Sequence, residues 1–220
     1  MKLYHSSSSP FVRKVMVSSH ELGLVSRIEL VPAAAHPVNR DAGVVAVNPL
    51  GKVPAFVSDD GTVLYDSRVI CEYLDREGGG ALFPAAGALR WRALRDQALG
   101  DGLLDAAVLA RYEAAVRPEP YRWQAWSDGQ LAKIASCLAA IEADADGYGE
   151  RVDIGTITIG CALGYLDFRF ADLDWRDAQP HAAAWFARFS ARPSMQATAP
   201  PAAAPTPPVT SASSAAPAAR

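Results

Sequence analysis

NPLGKVPAFVSDDGTVLYDS, residues 48–67, carries two apolar runs on either side of Asp59-Asp60-Gly61. Asp-Gly marks a tight hairpin because the turn needs a positive φ, which glycine adopts without steric penalty. Antiparallel strands are therefore expected over 55–57 and 62–64. Val53-Pro54 stands just before the first strand. A cis bond there would turn the Val53 backbone outward, leaving its N–H and C=O to pair with an extended ligand. Trans is the commoner state of any X-Pro bond, and the residues alone leave both isomers open. After the second strand, Asp66-Ser67 opens a helix expected over 67–76, with Val69, Ile70, Tyr73 and Leu74 on its core face. Either side chain can cap that helix. The first amides and the Ser67 hydroxyl suit a carboxylate, and Asp66 suits an ammonium.

Upstream, residues 2–5 (KLYH) read as a strand and 10–22 as a helix, with Phe11, Val12, Val15, Met16 and Leu22 forming one apolar stripe. Gly23 stands where a C-cap is expected. A second strand is expected over 27–31, stopped by Pro32, and it should run parallel to the first through a right-handed crossover. A polar region from 36 to 48 includes a short helical turn over 40–45. The order β-α-β then β-β-α describes a small mixed sheet covered by helices.

Between the first strand and first helix lies SSSSPF, residues 6–11. Proline is tolerated at the first helical position because that amide has no partner within the helix. Ser9 then becomes the N-cap, beside the unpaired amides and the positive end of the helix dipole. Two roles are open to it: a plain cap, or a hydroxyl that points its proton at an anion. Ser7 and Ser8 are rivals for the second role, and Tyr4 and His5 are candidates by proximity. Together, 6–11, 48–54 and 65–67 describe a polar groove suited to a small peptide with charged ends.

Downstream the pattern changes to helix only. Gly78, Gly79 and Gly80 end the 67–76 helix, Leu82-Phe83-Pro84 anchors the connector, and helices are expected over 88–115, 127–144, 155–170 and 182–189. Pro118 and Pro120 separate the first two. The fold class is α+β, with residues 1–77 forming a mixed sheet domain, 78–86 a linker, and 87–198 an all-helical domain. Residues 199–220 are almost wholly Ala, Pro, Ser and Thr and cannot bury enough apolar area to offset ordering entropy, so disorder is expected there.

Composition narrows the partners. A net charge of −3 implies no nucleic-acid surface. No stretch resembles a signal sequence or a bilayer span, so a cytoplasmic protein with no membrane partner is expected. Cys71, Cys137 and Cys161 are odd in number and widely spaced, which fits a reducing compartment. The four histidines are isolated, and no metal site is expected.

SPFVRKV, NPLGKVP, DSRVICEYL, GYLDFRF and RPSMQAT, in this order and spacing, resemble the glutathione S-transferase superfamily from residue 1 to about residue 198, in a bacterial branch. The resemblance implies a thioredoxin-like N-terminal domain followed by an all-helical glutathione-transferase C-terminal domain, glutathione as co-substrate, and a homodimer. By this resemblance Ser9 activates the glutathione sulfur. Val53, before the cis Pro54, pairs with the cysteinyl part, and Asp66 with Ser67 holds the γ-glutamyl end. Most members have Glu-Ser there, and the shorter Asp66 leaves its reach to the ammonium in question. Lys52 stands evenly between contacting a ligand carboxylate and being a solvated loop lysine. Asp153 and Thr156 replace the family's Ser or Thr followed by Asp, so a weaker reciprocal cap is expected.

The function implied is attack of an activated thiol on a small electrophilic or hydrophobic molecule, as in detoxification, or on a peroxide. The alternatives are a non-catalytic protein binding glutathione or a partner in the same groove, and an apolar-ligand carrier. The acceptor pocket is expected between the domains, with Arg90, Trp91, Arg95, Tyr112 and Trp123 available, although packing or pairing explains each of these more simply. A thiol with a reference pKa of ~8.5 needs ~2.7 kcal/mol of differential stabilisation to reach ~6.5. One charge-assisted hydrogen bond and a helix end together have about that capacity.

Overall fold

Four short strands make one sheet in the computed structural model, which describes residues 1–201. β1 (Lys2–His5) leads through α1 (Pro10–Glu21) to β2 (Glu29–Pro32). A short helix α2 (Ala42–Val47) precedes β3 (Ala55–Val57), β4 (Val63–Leu64) and α3 (Ser67–Glu77). The sheet order is β2-β1-β3-β4, with β1 parallel to β2 and both remaining pairs antiparallel. The hairpin turns at Gly61, φ +86°, and Asp60 Oδ1 accepts from the Thr62 N–H at 3.0 Å.

The second strand is displaced from the expected 27–31. Arg27 belongs to a short helical turn and pairs with Asp59 at 2.8 Å, while Pro32 ends the strand in register with His5. A proline that keeps its carbonyl can end an edge strand, which is β2's place in the sheet.

Six helices follow: α4 (Gly87–Ala115), α5 (Gln124–Tyr148), α6 (Ile154–Arg169), α7 (Trp175–Ala178), α8 (Pro180–Ser190) and α9 (Pro193–Ala197). α6 is buried on all sides from Ile154 to Leu166, as an all-round apolar helix must be. α5 exceeds the expected 127–144 at both ends. Glu113 accepts from the Trp123 N–H at 2.8 Å and fixes its start, and buried Ala145 and Tyr148 hold its last turn. α7 and α9 carry too little sequence for a periodic signal. Buried Trp175, whose indole donates to Asp167 at 3.0 Å, anchors α7, and buried Met195 anchors α9.

The cap of α6 is stronger than expected. Asp153 Oδ1 accepts from the Thr156 N–H, and the Thr156 hydroxyl accepts from the Asp153 N–H, both at 3.0 Å. A threonine hydroxyl serves as the return acceptor that the missing acid was expected to supply. The chain is α+β, a thioredoxin-like sheet domain followed by an all-helical one. Of the 199–220 tail, residues 202–220 lie outside the described residues.

Candidate functional site

Sheet register gathers three sequence-distant segments at one end of the sheet. Tyr4 faces Ala55, and Phe56 faces Leu64. Carried a step or two past the ladders, the same registers set Ser6 level with Val53 and Asp66 level with Pro54. The Val53-Pro54 bond is cis. The serine loop, the proline loop and the start of α3 therefore share one edge of the sheet.

Ser9 is the N-cap of α1, and its Oγ accepts from the Val12 N–H at 3.3 Å. A hydroxyl used as a cap acceptor keeps its own proton to give, so capping and donation to an anion are compatible. Ser6 and Ser8 pair through their hydroxyls at 3.3 Å. Ser7, Ser8 and Ser9 line a small cleft whose opposite wall is Tyr165 and Phe168 of α6. Arg13 borders the same cleft, in space left by the missing side chain of Gly164, where a Cβ would lie 2.4 Å from Arg13 Nη1. Beyond Arg13 the cleft opens into a groove of about 400 Å³ bounded by Phe168, Arg176 and Phe186.

The proline loop is held from within. Buried Asn48 donates to the Lys52 carbonyl at 2.8 Å and accepts from the Leu50 N–H at 3.0 Å. Lys52 itself is exposed. At the start of α3, Asp66 caps the helix by accepting from the Arg68 N–H at 2.9 Å, while Ser67 is buried. Asp66 rather than Ser67 is thus the cap, resolving the choice the sequence left open.

Sequence reasoning missed the charges beneath this edge. Lys14 of α1 and Asp101 of α4 are both fully buried, 2.6 Å apart, and Arg68 Nε donates to the other Asp101 oxygen at 2.8 Å. One carboxylate thus ties α1, α3 and α4 together. Asp105, one turn further along α4, is raised by desolvation and then by Asp101, while Arg68 and Lys52 pull it down and Asp66 adds to the rise. Its carboxyl therefore belongs to the same electrostatic neighbourhood as Lys52 and Asp66. Nothing in the local sequence around Lys14, Asp101 or Asp105 announces these contacts, because they arise only when the helices pack.

The cysteines supply no nucleophile to this chemistry, although Cys161 lines the small cleft. Burial pushes the Cys71 and Cys161 thiols up to about 11, and Cys137 is also raised by burial. A thiol so raised is not a nucleophile at neutral pH. Arg90 pairs with Glu72 at 3.1 Å, and Arg95 pairs with Asp96 at 3.0 Å, so both are structural charges. Trp91 and Trp123 are exposed.

Comparison with known proteins places this architecture. The family model described as glutathione S-transferase, N-terminal domain, matches residues 8–77, and that for the C-terminal domain matches residues 124–188. An uncharacterized GST-like protein, YibF of Escherichia coli K12, is 34% identical over 205 residues, covering 91% of this chain and 99% of its own. A glutathione transferase family member from Pseudomonas fluorescens Pf-5, crystallised with bound glutathione, is 50% identical with a TM-score of 0.89, over 91% of this chain and 98% of that one. A second Pf-5 structure, with bound S-(propanoic acid)-glutathione, is 48% identical with a TM-score of 0.84, over 91% of this chain and 100% of that one. The chain belongs to the glutathione S-transferase family.

Proposed function

We propose that this chain is a glutathione transferase in which the Ser9 hydroxyl donates to the glutathione sulfur. In this reading the Val53 backbone, ahead of cis Pro54, pairs with the cysteinyl part. Asp66 takes the γ-glutamyl ammonium, Ser67 and the first amides of α3 take its carboxylate, and Lys52 meets the other carboxylate. The observation that carries the reading is the meeting of three polar segments at one sheet edge beside a capping hydroxyl with a proton to give. A relative half identical to this chain, crystallised with glutathione, supports it. The charges also fit: Asp66 and Asp105 oppose an ammonium, and Lys52 opposes a carboxylate.

The chemistry follows from the environment of the sulfur. The positive end of α1 and the Ser9 proton favour the thiolate over the thiol. The thiolate forms a C–S bond with an electrophilic carbon. A leaving group departs with its electron pair or, at an activated double bond, the neighbouring carbon takes a proton from water. Ser9 forms no bond and loses no proton. The same reading includes the division 1–77, 78–86 and 87–198, a cytoplasmic location, and a homodimer. Exposed Val69, Leu89 and Trp91 offer apolar surface for a second copy, and light scattering should give twice 23.4 kDa.

Ser9→Ala is expected to lower turnover with an activated aryl halide about 100-fold. Glutathione affinity should change by less than about threefold, since the sulfur contact is strong only in the charged state. Ultraviolet titration of bound thiolate should show its pKa returning toward ~8.5. Unchanged turnover in Ser9→Ala would remove Ser9 from the mechanism. Tight glutathione binding with no turnover of any electrophile would make the chain a binding protein.

A further inference from the structure

The transferase chemistry leaves one cation of its cleft unused. Arg13 stands one helical turn beyond Ser9 on α1 and lines the cleft with Ser7, Ser8 and Ser9. It also lines the groove of about 400 Å³ that opens beyond, with Asp167, Phe168, Arg176 and Phe186. Its side chain therefore marks the junction of the two spaces. Nη2 donates to the Met195 carbonyl at 3.1 Å, and Nη1 lies over the bare backbone of Gly164, where a Cβ would come within 2.4 Å. Nε is buried with no hydrogen-bond partner.

The charge at this junction is uncompensated. Arg68, Arg117, Arg151, Arg176 and Arg192 each meet a carboxylate at 3.1 Å or less. Arg13 meets a backbone carbonyl and, among the described residues, no carboxylate. The one carboxylate that lines the groove is Asp167, and it is already engaged. Its two oxygens accept from Arg176 at 2.5 and 2.6 Å, and one of them also accepts from the Trp175 indole at 3.0 Å. The described lining is thus left with one positive charge, on Arg13, beside the rings of Phe168 and Phe186. A planar guanidinium matches a carboxylate with paired N–H donors, and an aromatic surround that excludes water strengthens the contact.

We propose that the acceptor extends from Ser9 into this groove and carries a carboxylate of its own, which Arg13 receives in the space that Gly164 leaves open. The proposal rests on the transferase reading of the cleft. The electrophilic carbon faces the sulfur at the serine loop, the apolar body lies along Phe168 and Phe186, and the acid end pairs with Arg13. Gly164 sets this preference indirectly, because any side chain there displaces the guanidinium.

The test uses the full chain and two product analogues of the same shape, S-(4-carboxybenzyl)glutathione and its primary amide, with glutathione as reference, by titration calorimetry near neutral pH. The wild-type protein is expected to bind the acid about 10-fold or more tightly than the amide. Arg13→Met should bring that ratio to about one, while glutathione affinity stays within about twofold, which also reports an intact fold. Gly164→Ala keeps the arginine but moves it, and should shrink the ratio as well. Should Arg13→Met not fold, Gly164→Ala and Arg13→Lys, which keeps the charge and loses the paired donors, decide the matter, and an unchanged ratio in both overturns the subsite. Equal binding of acid and amide by the wild type overturns it and leaves the transferase reading standing. A preference that survives Arg13→Met also overturns it. So does an equal loss of acid and glutathione affinity in that variant, which would assign Arg13 to the tripeptide itself. Failure of the wild type to bind glutathione overturns both readings.

Discussion

On its sheet side the candidate site is made of groups whose chemistry is local: Ser9 precedes the proline that opens α1, Val53 precedes Pro54, and Asp66 precedes the first residue of α3. On its helical side nothing is local. Asp101 reaches Lys14 and Arg68 because α4 packs beneath α1 and α3. Backbone amides and caps recur wherever their motif is written. Side-chain charges gather only through tertiary packing. The first kind suits a ligand part that never varies, such as a peptide backbone with fixed termini. The second suits a part that changes from one relative to another.

The sharpest way to break this contrast is at the residue that joins the two sides. Asp101 neutralises a fully buried lysine, so Asp101→Ala leaves Lys14 with an uncompensated charge in the interior. Removing one partner of a buried pair costs about 3–5 kcal/mol. Urea unfolding should show a loss of that size. Lys14→Met combined with Asp101→Leu should regain much of it, since Arg68 is half exposed and can turn to water. A loss below about 1 kcal/mol in the single variant would mean that the halves are held by apolar packing and the triad is incidental.

How far each side was legible follows the same division. The Asp-Gly hairpin and Pro10 after Ser9 are readable because each encodes a backbone conformation within a few residues, and the structure has the hairpin and the α1 cap where those residues imply. The residues leave the isomer of Val53-Pro54 open; the cis bond is implied only by the family resemblance, and the structure has it. Lys14 sits among apolar neighbours on α1, and no periodic rule says that its partner stands on another helix. Arg111, near a helix end, reads as solvated in the sequence, whereas the structure buries its Nε. α7 and α9 were missed for a related reason. Helices of four and five residues are held by one buried aromatic or methionine rather than by a repeating stripe.

A smaller effect tests whether a local motif on the helical side behaves like those on the sheet side. Asp153 and Thr156 exchange two hydrogen bonds at the start of α6, and Asp153 also accepts from Arg151 at 2.9 Å. Asp153→Ala should lower stability by about 1 kcal/mol, read as a fall in the thermal midpoint. Thr156→Val, which removes the return bond together with the hydroxyl's contacts to the Arg151 and Asp153 carbonyls at 3.1 Å, should cost about half as much. Equal losses in both variants would mean that the hydroxyl rather than the carboxylate starts the helix.

The smallest expected effect concerns a second charged link between the same two sides, this one near the surface. Glu21, at the end of α1, accepts from Arg192 at 2.8 and 2.9 Å and from the Ser194 hydroxyl, which ties α1 to the chain at α9. The Arg192 hydrogen bond is the main reason the Glu21 carboxyl lies below its ordinary 4.5, with partial burial opposing it. A carboxyl lowered by folding binds fewer protons in the native state, so its contribution is full above the unfolded value and fades as pH falls through the folded one. Glu21→Gln keeps the shape and an acceptor but loses the charge. It should be less stable than wild type by roughly 1 kcal/mol near neutral pH, because the pair is partly screened by water. Urea midpoints of the two proteins should draw together as pH is lowered toward about 3. A gap that persists in acid would assign the link to side-chain packing. The charged contacts joining the halves would then matter only where they are buried, at Asp101, where desolvation makes an unpaired partner so costly.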